Sequence, residues 1–126
     1  MLNFGVVVLN VSDWHRAQEF WCAALGYEVR EGPFGGWART LVAPDGTGPV
    51  LALQVSTEQP EHHPHIHFDL HVASVAEQET EAARLVALGA SRVDWDSFPH
   101  DPDFVVLADT EGNRFCIVDL GHVYAD

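Results

Sequence analysis

The feature that most limits the fold of this chain is a pattern that occurs twice. FGVVVLNV (residues 4–11) and HIHFDLHV (residues 65–72) are predicted strands, because each is a short apolar or alternating run between polar residues. Capping residues follow each run, then a stripe of apolar residues at helical spacing, then a glycine that ends the helix. The first helix has Ser12 or Asp13 as its cap, Trp14, Ala17, Phe20, Trp21 and Leu25 as its stripe, and Gly26 at its end. The second has Ser74 and Glu77 as a capping box, Ala82, Leu85 and Val86 as its stripe, and Gly89 at its end.

Each predicted helix is followed by further short strands. These are YEVR, WARTLVA and VLALQVS in the first half, and SRVDW, FVVLAD and RFCIVDL in the second. The order predicts an α+β fold in which two βαβββ modules, about residues 1–57 and 64–126, form one domain with a cupped mixed sheet. The acidic, proline-bearing segment 57–64 is the expected linker. One face of each sheet packs under its helix, and the other is left free for a ligand.

The charge of the chain restricts its partners. It has 19 acidic and 6 basic residues, a formal net charge of −13, and no cluster of basic residues that would replace the counterions of a phosphate backbone. Nucleic acids and anionic membrane surfaces are therefore not expected partners. No segment approaches the length of a membrane span, and the N-terminus lacks the features of a secretory signal. Cys22 and Cys116 fit no disulfide framework, which favours reduced thiols in a cytoplasmic protein.

Several segments resemble one known family. LNVSDWHRAQEFWCAALGYEV, HFDLHVASVAEQETEAARLVALGA and VVLADTEGNRFCIVDL, together with LVAPDG, cover most of the chain. They resemble the glyoxalase/bleomycin-resistance/dioxygenase group, or vicinal oxygen chelate superfamily, and FDLHV and GNRFC resemble its small bacterial glyoxalase-like branch. The resemblance implies a paired βαβββ fold, a homodimer, and a small-molecule pocket in the cup of the sheet.

The resemblance also implies where a metal ion would be held. Members that bind metal take four ligands, one from the first and one from the fourth strand of each module. The corresponding positions here are Val6, Ala52, His67 and Cys116. Only His67 keeps the ligand type of the family, so the usual metal site is expected to be missing and no cofactor is assigned. The alternative is a divalent metal held by His67 with Cys116 and Gln54, which lies two residues beyond Ala52 on the same strand face.

The stretch EHHPHIHFDLH (residues 61–71) holds five of the eight histidines. Side chains alternate along a strand. One face is therefore expected to contain Ile66, Phe68, Leu70 and Val72 under the helices, and the other His65, His67, Asp69 and His71. His62 and His63 precede Pro64 and are expected in solvent. The polar row is a solvated strand, a pocket wall or part of a metal site. His67 is the best candidate for a catalytic residue, because a neighbouring carboxylate favours proton acceptance.

Aromatic residues and one thiol are further candidates for the pocket. Trp37 follows the glycine-rich stretch GPFGG, where Trp37 or Phe34 forms an aromatic wall if the loop closes over a ligand. An ordinary hairpin loop is the alternative. Trp95, Phe98 and Phe104 flank DSFPHDPD, which either covers the rim of the cup or is an exposed connector. Cys116 is either a reactive thiol near His67 or a small buried hydrophobe.

Two functions from different classes fit this sequence. The first is a metal-free module that binds a small, partly aromatic or planar organic molecule. Its candidate ligand-binding residues are Trp37, Gln54, His65, His67, Asp69, His71 and Cys116. The second is a lyase, isomerase or dioxygenase in which a divalent metal chelates vicinal oxygens of the substrate as a Lewis acid. A metal-free enzyme with His67 as general base lies between the two.

Overall fold

A computed structural model describes residues 1–32 and 35–124 of the chain. The chain divides into two compact units, Met1–Gln59 and Pro60–Asp126. Each contains one helix and one four-stranded mixed sheet in the order βαβββ, which confirms the predicted α+β fold of two modules. Whether the two modules act as a single domain stays a prediction. No helix of the described residues is long and apolar enough to cross a membrane.

The first unit is built around a central parallel strand pair. Its elements are β1 (Val6–Val11), α1 (Trp14–Leu25), β2 (Glu28–Val29), β3 (Arg39–Val42) and β4 (Val50–Val55). The sheet order is β1-β4-β3-β2, with β1 and β4 parallel and the other neighbours antiparallel. Residues at the centre of β4 are buried, which is typical of a strand that has a partner on both sides.

Helix α1 begins and ends where the sequence predicts. The Asp13 carboxylate accepts a hydrogen bond from the Arg16 backbone N–H at 3.2 Å, and Gly26 ends the helix with a φ of 68°. Trp21 is buried in the core as expected. The prediction that Trp14 is core is wrong in part. Trp14 is only half-buried, and its ring stacks with that of His15 and contacts the guanidinium of Arg39, whose Cζ is 3.9 Å from the ring centroid.

The second unit repeats the topology of the first. Its elements are β5 (Asp69–Val72), α2 (Val75–Leu88), β6 (Ser91–Arg92), β7 (Phe104–Ala108) and β8 (Arg114–Asp119). The sheet order is β5-β8-β7-β6, with β5 and β8 parallel and the other neighbours antiparallel. Asp69 pairs with Cys116 and His71 with Val118 in the parallel register. The strand after α2 is shorter than SRVDW predicts, since it contains only Ser91 and Arg92, followed by one further backbone hydrogen bond from the Val93 N–H to the Val106 carbonyl at 3.3 Å.

Helix α2 has the predicted ends but a different buried face. Ser74 Oγ accepts from the Glu77 backbone N–H at 3.1 Å, and Gly89 ends the helix. The prediction that Val86 belongs to the buried stripe is wrong, because its exposed fraction is 39%. Gln78 is buried instead, and its side-chain amide donates to the backbone carbonyls of Asp103 at 3.1 Å and Ile117 at 3.0 Å. A polar side chain therefore attaches α2 to β8 and to the residue before β7.

Strand β5 begins at Asp69, four residues later than HIHFDLHV predicts. Its parallel partner β8 begins at Arg114. Residues 65 and 66 therefore lie opposite the turn before β8 and have no strand with which to form hydrogen bonds. Ladder bonding begins where the Phe68 carbonyl accepts from the Cys116 N–H at 2.8 Å. The prediction that Ile66 packs under the helix is therefore wrong, and 85% of its surface is exposed.

The segment before β5 is held against the second unit. The Arg114 guanidinium donates to the His62 carbonyl at 2.8 Å. Pro60 lies against the turn before β8, where Gly112 has a φ of 87° and an added Cβ would be 2.7 Å from the Pro60 Cγ. Gly112 is thus needed both for its backbone conformation and for this close approach. Residues predicted to be a linker form part of the second unit.

Candidate functional site

The second unit contains a pocket of about 430 Å³ on one face of its sheet. All of the strand residues that line it except Phe115 stand at alternate positions and share this face, while the intervening Leu107 and Ile117 are buried in the core. The strands contribute Asp69, Phe104, Val106, Arg114, Phe115, Cys116 and Val118, and the segments outside them contribute His63, Pro64, His67, Trp95, Ser97 and Asp103. The pocket therefore combines aromatic and aliphatic walls with a few ionisable groups.

Three predicted candidates lie close together in the lining of this pocket. His67 Nε2 lies 3.0 Å from Asp69 Oδ1, and Asp69 is the register partner of Cys116 on β8. One ligand atom from each of the three residues lies within 4.8 Å of the others. The His67 and Asp69 side chains are about half exposed, whereas Cys116 is 9% exposed. The cluster thus has a buried sulfur and an imidazole–carboxylate pair open to solvent.

The thiol of Cys116 is kept protonated at neutral pH. Burial, reinforced by the Asp69 and Asp103 carboxylates, raises the pKa of Cys116 to about 11. A thiol with this pKa is a poor nucleophile at neutral pH unless a cation stabilises the thiolate. Of the two alternatives for Cys116, a reactive thiol or a small buried hydrophobe, the raised pKa favours the second when no cation is bound.

Two rings of the pocket wall, those of Trp95 and His63, belong to residues outside the strands. Trp95 and His63 are in ring contact, with centroids 4.7 Å apart, and Arg114 Cζ lies 5.7 Å from the Trp95 centroid. His63 Nε2 is 3.0 Å from Asp96 Oδ1, and this hydrogen bond, together with one from Ser97 Oγ, lowers the pKa of the Asp96 carboxyl. His63 is part of the pocket wall although its side chain remains about half exposed to solvent, a role that the sequence did not indicate.

Asp103 forms another side of the pocket and is fixed from two directions. Its backbone carbonyl accepts from Gln78, and its carboxylate accepts a hydrogen bond from the Tyr124 hydroxyl. That hydrogen bond and the carboxylate charge raise the pKa of the Tyr124 phenol. The sequence indicated Asp103 only as part of DSFPHDPD, for which cover of the rim was one of two alternatives, and it did not indicate Arg114, whose position follows from the pairing of β7 with β8.

The other predicted site residues lie elsewhere in the chain. Gln54 is exposed on β4, and its amide donates to Asn10 Oδ1 at 3.1 Å within the first unit. Trp37 is half-buried before β3, and Phe34 lies outside the described residues. His65 is exposed in a bend before β5, and His71 is exposed on β5. None of the four described residues lines the pocket of the second unit. Of the aromatic residues around DSFPHDPD, Trp95 and Phe104 line it and Phe98 is exposed.

A family model described as "Glyoxalase-like domain" matches residues 6–118 of the chain, which is nearly its whole length. The chain belongs to the glyoxalase-like domain family. This confirms the resemblance to the vicinal oxygen chelate superfamily that the sequence segments indicated. No curated protein matches this glyoxalase-like chain significantly.

Solved structures similar to this glyoxalase-like protein share its fold at low identity. A glyoxalase-related enzyme from Fulvimarina pelagi is 18% identical, with a TM-score of 0.71 over 100% of this chain and 95% of that one. A glyoxalase/bleomycin resistance protein/dioxygenase family enzyme from Burkholderia phytofirmans is 14% identical, with a TM-score of 0.71 over 94% and 99%. The fosfomycin resistance protein FosX from Listeria monocytogenes, in complex with Mn(II) and dihydroxypropylphosphonic acid, is 13% identical, with a TM-score of 0.70 over 94% and 90%.

The metal-ligand set that the family resemblance implies does not fit this glyoxalase-like chain. Val8 pairs with Ala52 in the first unit as Asp69 pairs with Cys116 in the second, so the two units can be compared position by position. The first unit has aliphatic side chains at these positions and at Val6, and Ala52 is fully buried. Aliphatic groups cannot bind a cation, so these positions exclude a metal site that takes two ligands from each module.

Proposed function

We propose that this glyoxalase-like protein binds a small, partly aromatic organic molecule in the pocket of its second unit. The observation that carries the proposal is that the indole ring of Trp95 and the polar, hydrogen-bonded His67–Asp69 pair line the same pocket. Organic ligands are generally held by such a combination of apolar walls and a few directed polar groups. A volume of about 430 Å³ also falls within the range of pockets that take such ligands.

The charges around the pocket favour a neutral or cationic ligand. Asp69 and Asp103 contribute carboxylates, whereas the only guanidinium among the lining residues, Arg114, already donates to a backbone carbonyl. The net charge of −13 adds a long-range field of the same sign. A planar ring would stack on Trp95, and a cationic ring would gain a further attraction to the π face of the indole.

A second candidate function is favoured by the hydrogen bond between His67 and Asp69. A carboxylate that holds an imidazole in one orientation is the arrangement of a general base, so a lyase- or isomerase-type proton abstraction is possible in the same pocket. A metal-dependent form of this enzyme, including a dioxygenase, would take His67 and Cys116 as metal ligands. Gln54 does not line this pocket. The Mn(II) complex of FosX is a precedent for a metal on this fold.

The binding proposal is tested by calorimetry on untagged protein. The probes are 9-aminoacridine, a planar cation, and a naphthalenesulfonate, a planar anion. We expect saturable binding of the cation at one site per chain, weakened ten-fold or more by Trp95→Ala. Phe4→Ala is the control, because Phe4 is an exposed aromatic residue of the first unit that does not line the pocket, whereas the Phe98 ring contacts the lining residue Phe104. Equal affinity in wild type and Trp95→Ala, or no binding of either probe, would contradict the proposal.

The proposal also covers the oligomeric state and the cellular location of the protein. We propose a cytoplasmic homodimer, which is supported by the family resemblance and by the two free thiols. Sedimentation equilibrium of the untagged protein tests the dimer directly. A monomer at all concentrations would contradict that part of the proposal and leave the pocket of the second unit unaffected.

A further inference from the structure

We infer that His67, Asp69 and Cys116 form a binding site for a thiophilic divalent cation such as Zn²⁺, built within the second unit alone. This set differs from the one that the family resemblance implies, because the carboxylate comes from β5 and the last strand supplies sulfur instead of oxygen. The site does not require the organic ligand of the proposed function. Each proposal can therefore fail without the other.

The geometry of the three side chains is close to that of a bound ion. The candidate ligand atoms lie within 4.8 Å of one another. Ligands of a tetrahedral Zn²⁺ are about 3.5 Å apart, given metal–ligand bonds of about 2.0–2.3 Å. The longest of these separations must shorten by up to about 1.3 Å, and this movement falls on His67 and Asp69, whose side chains are about half exposed and have room to rotate.

The sheet fixes the relative positions of the ligands. Asp69 and Cys116 are register partners on the parallel strands β5 and β8, so their side chains leave the same face beside each other. His67 lies two residues before Asp69 and its imidazole already contacts the carboxylate. Because Cys116 is buried and the other two are exposed, an ion would have sulfur on its inner side and an open coordination position toward the pocket. Three protein ligands and one open position are typical of a zinc site that also takes a small molecule.

The chemistry of the donors selects the class of ion. Thiolate and imidazole are the ligands that Zn²⁺ and Co²⁺ prefer, whereas Mg²⁺, Ca²⁺ and Mn²⁺ prefer several oxygens. Only one of the three donors is an oxygen, which disfavours the second group. Asp103 lines the same pocket and adds a negative charge that favours any cation. The thiol proton leaves to solvent when the sulfur binds the ion.

Cobalt(II) is the probe that tests this site, because a thiolate–cobalt bond has a charge-transfer band in the near ultraviolet. Untagged protein is stripped with a chelator and titrated with Co²⁺. We expect the band to saturate at about one equivalent and to disappear on addition of Zn²⁺ but not of Mg²⁺. Cys116→Ser should abolish the band, and Cys22→Ser should retain it. Cys22 is the matched control, because these two residues are the only thiols of the chain.

A second pair of variants keeps the test decisive if Cys116→Ser fails to fold. His67→Ala should weaken Co²⁺ binding ten-fold or more, whereas His65→Ala, a neighbouring exposed imidazole outside the cluster, should leave it unchanged. The inference is overturned if wild type shows no charge-transfer band, if the band survives in Cys116→Ser, or if His67→Ala and His65→Ala bind Co²⁺ equally.

Discussion

Replacement of the buried amide of Gln78 should destabilise the second unit, because this amide joins helix α2 to β8 and to the residue before β7. The amide donates to the Asp103 and Ile117 carbonyls at 3.1 and 3.0 Å. Methionine has a similar shape but no donor, so Gln78→Met removes both hydrogen bonds. A hydrogen bond contributes about 0.5–1.5 kcal/mol net, and we therefore expect a loss of about 1–3 kcal/mol in the free energy of unfolding.

Urea denaturation followed by far-ultraviolet circular dichroism measures this loss. With a denaturant slope of about 1–3 kcal/mol per molar, a loss of about 2 kcal/mol lowers the midpoint by roughly 1 M. Gln18→Met is the matched control, because the Gln18 side-chain oxygen is buried and accepts no hydrogen bond within the described residues. That change should be neutral or stabilising. A Gln78→Met midpoint within error of wild type, at an unchanged slope, would refute the reasoning.

Other substitutions and titrations test further parts of the structure. Gly46 and Gly112 both have a positive φ, which L residues adopt only at a cost. Gly46→Ala should therefore lower the free energy of unfolding by about 1–2 kcal/mol. Gly112→Ala should lower the free energy of unfolding by about 1 kcal/mol more than Gly46→Ala, because only the Cβ at position 112 would meet the ring of Pro60. Equal urea midpoints for the two variants would show that this contact contributes nothing. Because its pKa is about 11, the Cys116 thiol in chelator-treated protein should have roughly a hundred-fold less thiolate at pH 7 than one of ordinary pKa. Its rate of alkylation by iodoacetamide, read by mass spectrometry, should rise with pH, and a plateau below about pH 10 would contradict the assignment. In His63→Ala, the pKa of Asp96 should rise toward its ordinary value in an NMR titration, since His63 is the largest cause of its lowering; an unchanged pKa would exclude that hydrogen bond in solution.

The ends of both helices could be predicted because their signals are local. Asp13 and Ser74 each cap a helix by accepting a hydrogen bond from the backbone N–H three residues later. Gly26 and Gly89 end the helices, and their backbone N–H groups donate to carbonyls three or four residues earlier. The start of β5 could not be predicted in this way, because it depends on how many residues of β8 are available for pairing.

The polar cluster in the pocket was easier to predict than the contact between His63 and Trp95 in its wall. His67, Asp69 and Cys116 were candidates from strand alternation and from the family positions, and the structure brings them together. His63 was interpreted as a solvated linker residue, because its contacts with Trp95 and Asp96 join segments more than thirty residues apart. Alternation within one strand contains no information about such contacts.

The buried position of Gln78 had no signal in the sequence. Counted from the helix caps, its counterpart in α1 is Ala17, which is also buried but apolar. A glutamine at a core position is compatible with burial only when its amide finds partners, and those partners are carbonyls of other elements.

The docking of the segment before β5 has a consequence for how this protein tolerates change in its length. Exposed connectors between repeated units normally accept insertions and deletions without effect on either unit. Here Pro60 lies on the turn before β8, the His62 carbonyl binds Arg114, and His63 is a pocket wall. A residue gained or lost between Pro60 and His63 would shift the wall against its fixed neighbours. Natural variation in the length of this segment would therefore alter which ligands the pocket accepts.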